Sequence, residues 1–387
     1  MKDSLTLYRS IVEFVWQPGV RFHDLRCLYT FVWGLVGLML SECVNLDKWG
    51  LFRPDEVQAA SKTRQFSRWL HNDKIKPSLI YRLLIKEALA NWEHHKLYLA
   101  LDTSLLWNRF VVVRLALVYR GRAIPLAWCV LPGQSATVAL QHYAHMLREV
   151  APLLPMGSQV VLLADRGFVD VELMKLARDL DWGFRIRAKT SLWVRRATKG
   201  KRKLKALLPP RGQAIFYHNV WITEKWFGPV HLALAHVHTE NGYETWAIIS
   251  DDPTEMATFD EYGLRFDIEE NFLDDKSAGF QLESSEIRDA EALSRLCLIL
   301  STATLYLVST GTAIVILGRR RIVDPHWFRG LSYLQIGWRW VQHALAVGKS
   351  LLKFIWLDPG PDPEPAMASR TQAAQPKFTL STIVLIN

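Results

Sequence analysis

Cysteine is scarce in this 387-residue chain, and the four present, Cys27, Cys43, Cys129 and Cys297, lie far apart with no CxxC pair. That excludes a zinc knot and a disulfide framework and points to a reducing compartment. The opening stretch MKDSLTLYRSIVEF lacks the basic-then-apolar layout of a secretory signal and reads as a helix capped near Asp3 or Ser4. Acidic residues are missing from one whole segment: Arg185 to Lys205 holds ten Lys or Arg and no Asp or Glu. Charge of either sign is missing from Leu296 to Gly318, 23 residues that run into Arg319, Arg320 and Arg321. The length and basic flank fit a membrane span. The alternative is a fully buried helix, and the Ser, Thr and Gly within the segment suit close packing.

Hydrophobic residues make up 50% of the chain, enough for a sizeable core, and the length predicts two to four units. The formal net charge of +9 makes a polyanion the natural partner, either nucleic acid or an anionic membrane. Residues 1–95 read as helical, with Pro54 and Pro77 at first helical positions. Lys62, Arg64, Arg68, Lys74 and Lys76 make this region a candidate DNA-binding module. A helical bundle with a solvated charged face is the competing reading.

From Lys96 the texture becomes strand-like: LYLALD, RFVVVRLALVYR and AIPLAWCVL, the last two joined by a short turn at Gly121. A helix over about 136–150, a strand at 158–165, a helix near 170–180 and a strand at 183–189 follow. That is the order of a ribonuclease-H-like α/β core, in which the first and fourth strands are neighbours. A β-rich insertion at about 190–252 delays the closing helix, and the core runs over 96–325. Residues 326–357 read as helical. The Pro-rich 358–387 reads as a disordered tail.

Asp102 follows the first apolar strand and Asp165 the fourth, so both should emerge side by side at strand ends, where sheet proteins place ligands and catalysis. Each alone reads equally as a turn or cap residue. In YGLRFDIEENFLDDK, residues 262–276, a helix turning about 100° per residue puts Tyr262, Arg265, Glu269 and Lys276 within roughly 60° of one another. Leu264, Ile268, Phe272, Phe266 and Leu273 flank that face, which makes it the inward one, with Glu270, Asp267, Asp274 and Asn271 behind. Glu269 then completes a three-carboxylate cluster, although an i,i+4 pair with Arg265 would also account for it. Like charges so close call for a divalent cation, and oxygen ligands alone favour Mg²⁺ or Mn²⁺. Two such ions would suit phosphoryl transfer.

The spacing Tyr, two residues, Arg, three residues, Glu, six residues, Lys resembles the signature of DDE transposases of bacterial insertion sequences, in the insertion-sequence-four group. LALDTS and LLADRGF resemble the contexts of that family's two aspartates, and the resemblance spans about residues 50–320. It implies an enzyme of the bacterial cytosol and nucleoid that acts as a dimer on double-stranded DNA, at terminal inverted repeats and at a target. Asp102, Asp165 and Glu269 are implied as ligands of two Mg²⁺, with Mn²⁺ as substitute. Tyr262, Arg265 and Lys276 are implied as phosphate contacts. One insertion tryptophan is implied to stack on a flipped base, with Trp193, Trp221, Trp226 and Trp246 as candidates and Trp246 preferred. Arg195, Arg196, Lys199, Lys201, Arg202 and Lys203 would track the DNA backbone, the alternative being a solvated loop. Stable membrane association is not expected on this reading. A relative that only binds or only cuts DNA is the further alternative.

Overall fold

Among the described residues, five helices precede the first strand: α1 (Lys2–Val15), α2 (Leu25–Ser41), α3 (Leu46–Gly50), α4 (Ala59–Leu70) and α5 (Pro77–Ala88). The computed structural model describes residues 2–20, 22, 24–197, 200–239, 242–285, 287–366 and 382–386. Pro77 stands in the first turn of α5 as expected, where its missing N–H costs nothing. Pro54 does not start a helix; α4 begins at Ala59. The reason is Lys62, whose buried ammonium donates to Arg53 O at 3.1 Å and Asp55 O at 2.7 Å and pins the preceding loop open. That basic group is therefore used inside the protein, while Arg64 and Arg68 remain exposed. The helical region was expected to form a unit of its own, yet its apolar side chains join those of the sheet in one continuous core.

The strands are β1 (Lys96–Leu106), β2 (Phe110–Tyr119), β3 (Arg122–Pro132), β4 (Gln159–Ala164), β5 (Trp182–Arg187), β6 (Trp193–Arg196), β7 (Gly200–Lys203), β8 (Gln213–Ile222), β9 (Phe227–Thr239), β10 (Gly242–Ser250) and β11 (Thr382–Ile386). They form one mixed sheet in the order β3-β2-β1-β4-β5-β10-β9-β8-β6-β7, with β11 added along β8. Arg120 and Gly121 turn β2 into β3 with φ of 51° and 81°, the left-handed geometry that a tight hairpin needs. β1 runs antiparallel to β2 and parallel to β4, and β4 runs parallel to β5. The expected insertion extends this sheet rather than forming a separate body, because β10 pairs directly with β5.

Helices α6 (Ala144–Val150) and α7 (Val171–Asp179) lie between core strands in sequence. The closing helix is not uniform. It consists of α8 (Ala257–Gly263), a 3₁₀ turn at Leu264–Phe266, α9 (Asp267–Leu273) and a π turn at Asp274–Ala278.

The charge-free segment lies in α10 (Ala290–Ile316), which is long and apolar enough to cross a membrane; 94% of its most apolar window is buried inside the protein. It crosses α11 (Tyr333–Val347) at backbone contact. A Cβ on Gly311 would meet Tyr333 O at 2.0 Å, and one on Gly337 would meet Leu307 O at 1.8 Å. Both positions admit glycine alone. The C-terminal stretch also departs from expectation: 358–366 is held against the body by ion pairs, and β11 is a strand, while 367–381 lies outside the described residues.

Candidate active site and nucleic-acid interface

The parallel register of β1 and β4 matches Leu101 with Ala164, so the next residue on each chain, Asp102 and Asp165, stand beside each other. Their backbones differ, however. Asp102 lies within β1, opposite Arg114 of β2, whereas Asp165 has left β4 and caps a 3₁₀ turn, its Oδ1 accepting from Gly167 N at 2.7 Å. The turn role that competed for Asp165 is thus present as well.

Arg265, buried, binds the first carboxylate to the third. Its Nη1 donates to Asp102 Oδ2 at 3.2 Å and its Nη2 to Glu269 Oε1 at 2.5 Å. Among the described residues, its buried Nε has no hydrogen-bond partner. Burial pushes Asp102 up to about 6; Arg265 and the Thr103 N–H pull it down, while Asp165 and Glu269 push it further up. The three acids therefore share one electrostatic neighbourhood. Among the described residues, no three His, Cys, Asp or Glu side chains stand close enough together to hold a metal ion. A guanidinium bridges Asp102 and Glu269, supplying the positive charge that two converging carboxylates require.

The face expected for 262–276 is only partly realised. Tyr262 is 0% exposed and belongs to a second apolar cluster with Phe216, Ile248 and Phe259, so it reaches no surface from which to touch a phosphate. Trp246, 3% exposed, packs edge-on to Tyr262 at 5.3 Å in the same cluster, which removes it as a base-stacking platform. Lys276 Nζ donates to Leu105 O at 2.8 Å and stands 4.0 Å from Glu283. Glu269 is 50% exposed at its side chain rather than inward, and Phe266 and Leu273 are exposed. In their place Asn271, Asp274 and Asp275 are buried. The 3₁₀ and π turns shift the angular step per residue, so a constant 100° cannot assign faces across this segment.

Sequence reasoning missed the groups that make this burial possible. Arg114, fully buried on β2, donates to Asn271 Oδ1 at 2.7 Å and Asp275 Oδ2 at 2.6 Å and stacks on Phe272 with its guanidinium 4.6 Å from the ring centre. Arg122 on β3 donates to Asp274 Oδ2 at 3.1 Å and lies 3.4 Å from Glu270. The signal was present as a lone charge amid the apolar run RFVVVRLALVYR, which had to find a partner.

Asp274 is pushed up to about 6 by burial, with Arg122 opposing and Asp275 and Glu270 adding to the rise. A carboxyl with a folded value above its ordinary 3.8 favours the folded state while protonated, so its contribution is lost as pH rises from about 4 to 6. Asp102 acts with the same sign in the same window. Asp274→Asn is expected to flatten the decline of Tm between about pH 4 and 6. Thermal melts across that range check this; a slope equal to the parent's would count against it.

The basic run forms the β6–β7 hairpin and its approach to the sheet. Arg195 lies over Trp221 at 5.3 Å and Trp226 at 5.2 Å, Lys201 and Lys203 lie over Trp193 at 5.4 and 5.5 Å, and Arg196 lies over Tyr217 at 4.9 Å. Arg195, Lys201, Arg202 and Lys203 are exposed, and the three tryptophans are half-buried. Lys199 lies outside the described residues. The start of the run is different: Arg185 is buried between Asp252 and Glu261, at 3.1 and 3.0 Å.

Comparison with protein families finds no match, and no curated protein matches the chain. Among solved structures, the chain is similar to a piggyBac transposase in a synaptic complex with hairpin DNA. The identity is 12% and the TM-score 0.43, over 97% of this chain and 88% of that one. Likeness at this level is one of outline and bears on none of the residues above.

Proposed function

We propose that the chain is a DNA transposase of the DDE type that binds the inverted repeats of its own insertion sequence, cleaves the DNA ends and joins the freed 3′-hydroxyl to target DNA. The observation that carries this reading is the Leu101–Ala164 register, which sets Asp102 beside Asp165, with Glu269 tied to Asp102 through Arg265. The order β3-β2-β1-β4-β5 agrees with a ribonuclease-H-like core. The spacing of Tyr262, Arg265, Glu269 and Lys276 supports the insertion-sequence-four group.

The donor chemistry of the three carboxylates fits a hard divalent cation, since all of it is oxygen and Asp102 is half-buried beside two like charges. Asp102, Asp165 and Glu269 would hold two Mg²⁺ or Mn²⁺. When bound, these supply Lewis-acid charge to the attacking and leaving oxygens. Arg265 must release the carboxylates for them to serve as ligands, and its freed guanidinium is then available to a phosphate. The half-buried Trp193, Trp221 and Trp226, flanked by cations, replace Trp246 as candidates for base stacking. Pairing two DNA ends calls for a dimer on DNA in the bacterial cytosol.

The test is an assay of purified protein with duplexes bearing the inverted repeats that flank its gene, a target plasmid and Mg²⁺. Ends with a 3′-hydroxyl, and products joined to target, are expected, with both lost in excess chelator. Absence of cleavage in Mg²⁺ and in Mn²⁺ would refute the assignment, and cutting without joining would reduce it to a nuclease. For the hairpin, Lys201→Gln with Lys203→Gln is expected to lower the slope of log affinity against log salt by about 0.9 per charge removed. An unchanged slope in a binding titration would take DNA off that surface.

A further inference from the structure

Two cavities open beside Asp165, and neither the carboxylate cluster nor the β6–β7 hairpin accounts for them. The smaller, of about 220 Å³, has Thr103, Thr137, Val138, Asp165 and Phe168 in its walls. The larger, of about 330 Å³, has Arg187, Thr190, Ser191 and Glu244. Arg166 and Lys189 line both, so the two cavities adjoin across this pair. Strand register explains the placement. Ala164 of β4 pairs with Leu101 of β1 on one side and with Ile186 of β5 on the other. Asp102, Arg166 and Lys189 therefore lie at one edge of the sheet, the carboxyl edge at which α/β proteins seat ligands.

The charge of this cleft is not balanced from within. Arg187 is committed, donating to Glu244 Oε1 at 2.5 Å and Thr245 O at 2.8 Å, and Glu244 also accepts from Trp246 Nε1 at 3.1 Å. Arg166 and Lys189 are exposed, and among the described residues their side chains make no hydrogen bond or ion pair. The hydroxyls of Thr137, Thr190 and Ser191 are likewise without a hydrogen-bond partner among those residues. Thr103 is different: its Oγ1 donates to Ala136 O at 2.9 Å and ties the loop that walls the smaller cavity to β1. Two free cations among free hydroxyls are the donor set that a phosphodiester takes. Size narrows the ligand further. Sites for drug-sized molecules begin at about 300 Å³, so each cavity suits one nucleotide, and Val138 and Phe168 offer one base an apolar face. A base pair with both its sugars fits neither.

We propose that this cleft receives two consecutive unpaired nucleotides of a DNA strand, with their shared phosphate held between Arg166 and Lys189 and one nucleotide in each cavity. The inference rests on the transposase reading, which makes DNA the polyanion at this edge of the sheet. Because Asp165 stands in the wall of the smaller cavity, the nucleotides held there are those next to the reacting phosphate. The DNA end has to be unpaired at that point to enter, and an end that is already open escapes the cost.

The test measures binding of the full chain by anisotropy in excess chelator, to a labelled duplex bearing the inverted repeat that flanks its gene and to the same duplex with its last two pairs mismatched. The parent is expected to bind the open end at least about tenfold more tightly, the equivalent of one DNA stacking step of about 1.4 kcal/mol that no longer has to be broken. Arg166→Gln with Lys189→Gln is expected to reduce that advantage below about threefold; both side chains are exposed, so the variant should melt with the parent. Lys201→Gln with Lys203→Gln, on the hairpin, should weaken both duplexes alike and keep the advantage. No advantage in the parent, an advantage that survives the first pair of substitutions, or an equal loss from the second pair overturns the proposal. Cleavage in Mg²⁺ is scored separately on the parent. An open-end advantage without cleavage would sink the transposase reading and leave the cleft, whereas cleavage without the advantage would sink the cleft alone.

Discussion

Glu269→Gln is expected to reduce DNA cleavage and strand transfer by at least about a thousandfold while leaving binding to the DNA ends intact. On the proposed two-cation reading, the magnitude is that of removing one ligand of a cation that would supply several kcal/mol of transition-state stabilisation. Glutamine keeps the size of the side chain, and the half-exposed position tolerates it without a folding penalty. Binding should hold or tighten, because the substitution removes an anion and frees Nη2 of Arg265 for phosphate. The control is Glu270→Gln next to it. Glu270 faces Arg122 at 3.4 Å on the other side of α9, and a pair so exposed contributes little. That variant should keep most activity. Unchanged cleavage in Glu269→Gln would remove Glu269 from the site, and equal loss in both would show that α9 presents a different face.

The largest stability effect is expected at Arg114. Arg114→Met leaves the Asp275 carboxylate buried without its partner, and breaking one side of such a pair costs about 3–5 kcal/mol. Burial already pushes Asp275 above the usual carboxylate range, with Arg114 alone opposing it. The double replacement Arg114→Met with Asp275→Leu should recover most of the loss, since two apolar groups need no partner. Urea unfolding of the parent, both single variants and the double variant gives the coupling directly. If the single variant unfolds at the parent's midpoint, the pair has no structural weight. Arg114 also holds Asn271, so a destabilised single variant should misplace α9 and lose activity beyond its loss of folded protein.

Regular elements were the legible part of this chain. Alternating and apolar runs marked β1 to β5 and pointed to Asp102 and Asp165 as neighbours, although Asp102 lies inside β1 and not at its end. The closing segment was less legible for a geometric reason. Its Tyr, Arg, Glu and Lys were placed on one face by a constant helical step, and the 3₁₀ and π turns break that step. Asp274 was placed behind the helix because the cation that neutralises it, Arg122, is about 150 residues away in sequence on another strand. Trp246 and Trp221 could not be told apart by composition. Only their strand registers put one under α8 and leave the other beside Arg195. The proline-rich stretch looked disordered for a similar reason, since Arg120, Arg320 and Arg329 are scattered along the chain and converge only in the fold.

The insertion's continuity with the core has a metric consequence. Because β10 bonds to β5, six strand-to-strand steps of about 4.8 Å separate β1, which bears Asp102, from β6, which bears Arg195. That is about 29 Å along a hydrogen-bonded sheet, or roughly eight base pairs at 3.4 Å each. On the proposed DNA reading the sheet would serve as a ruler, with a duplex held at the hairpin set against the carboxylates by a fixed count of strands.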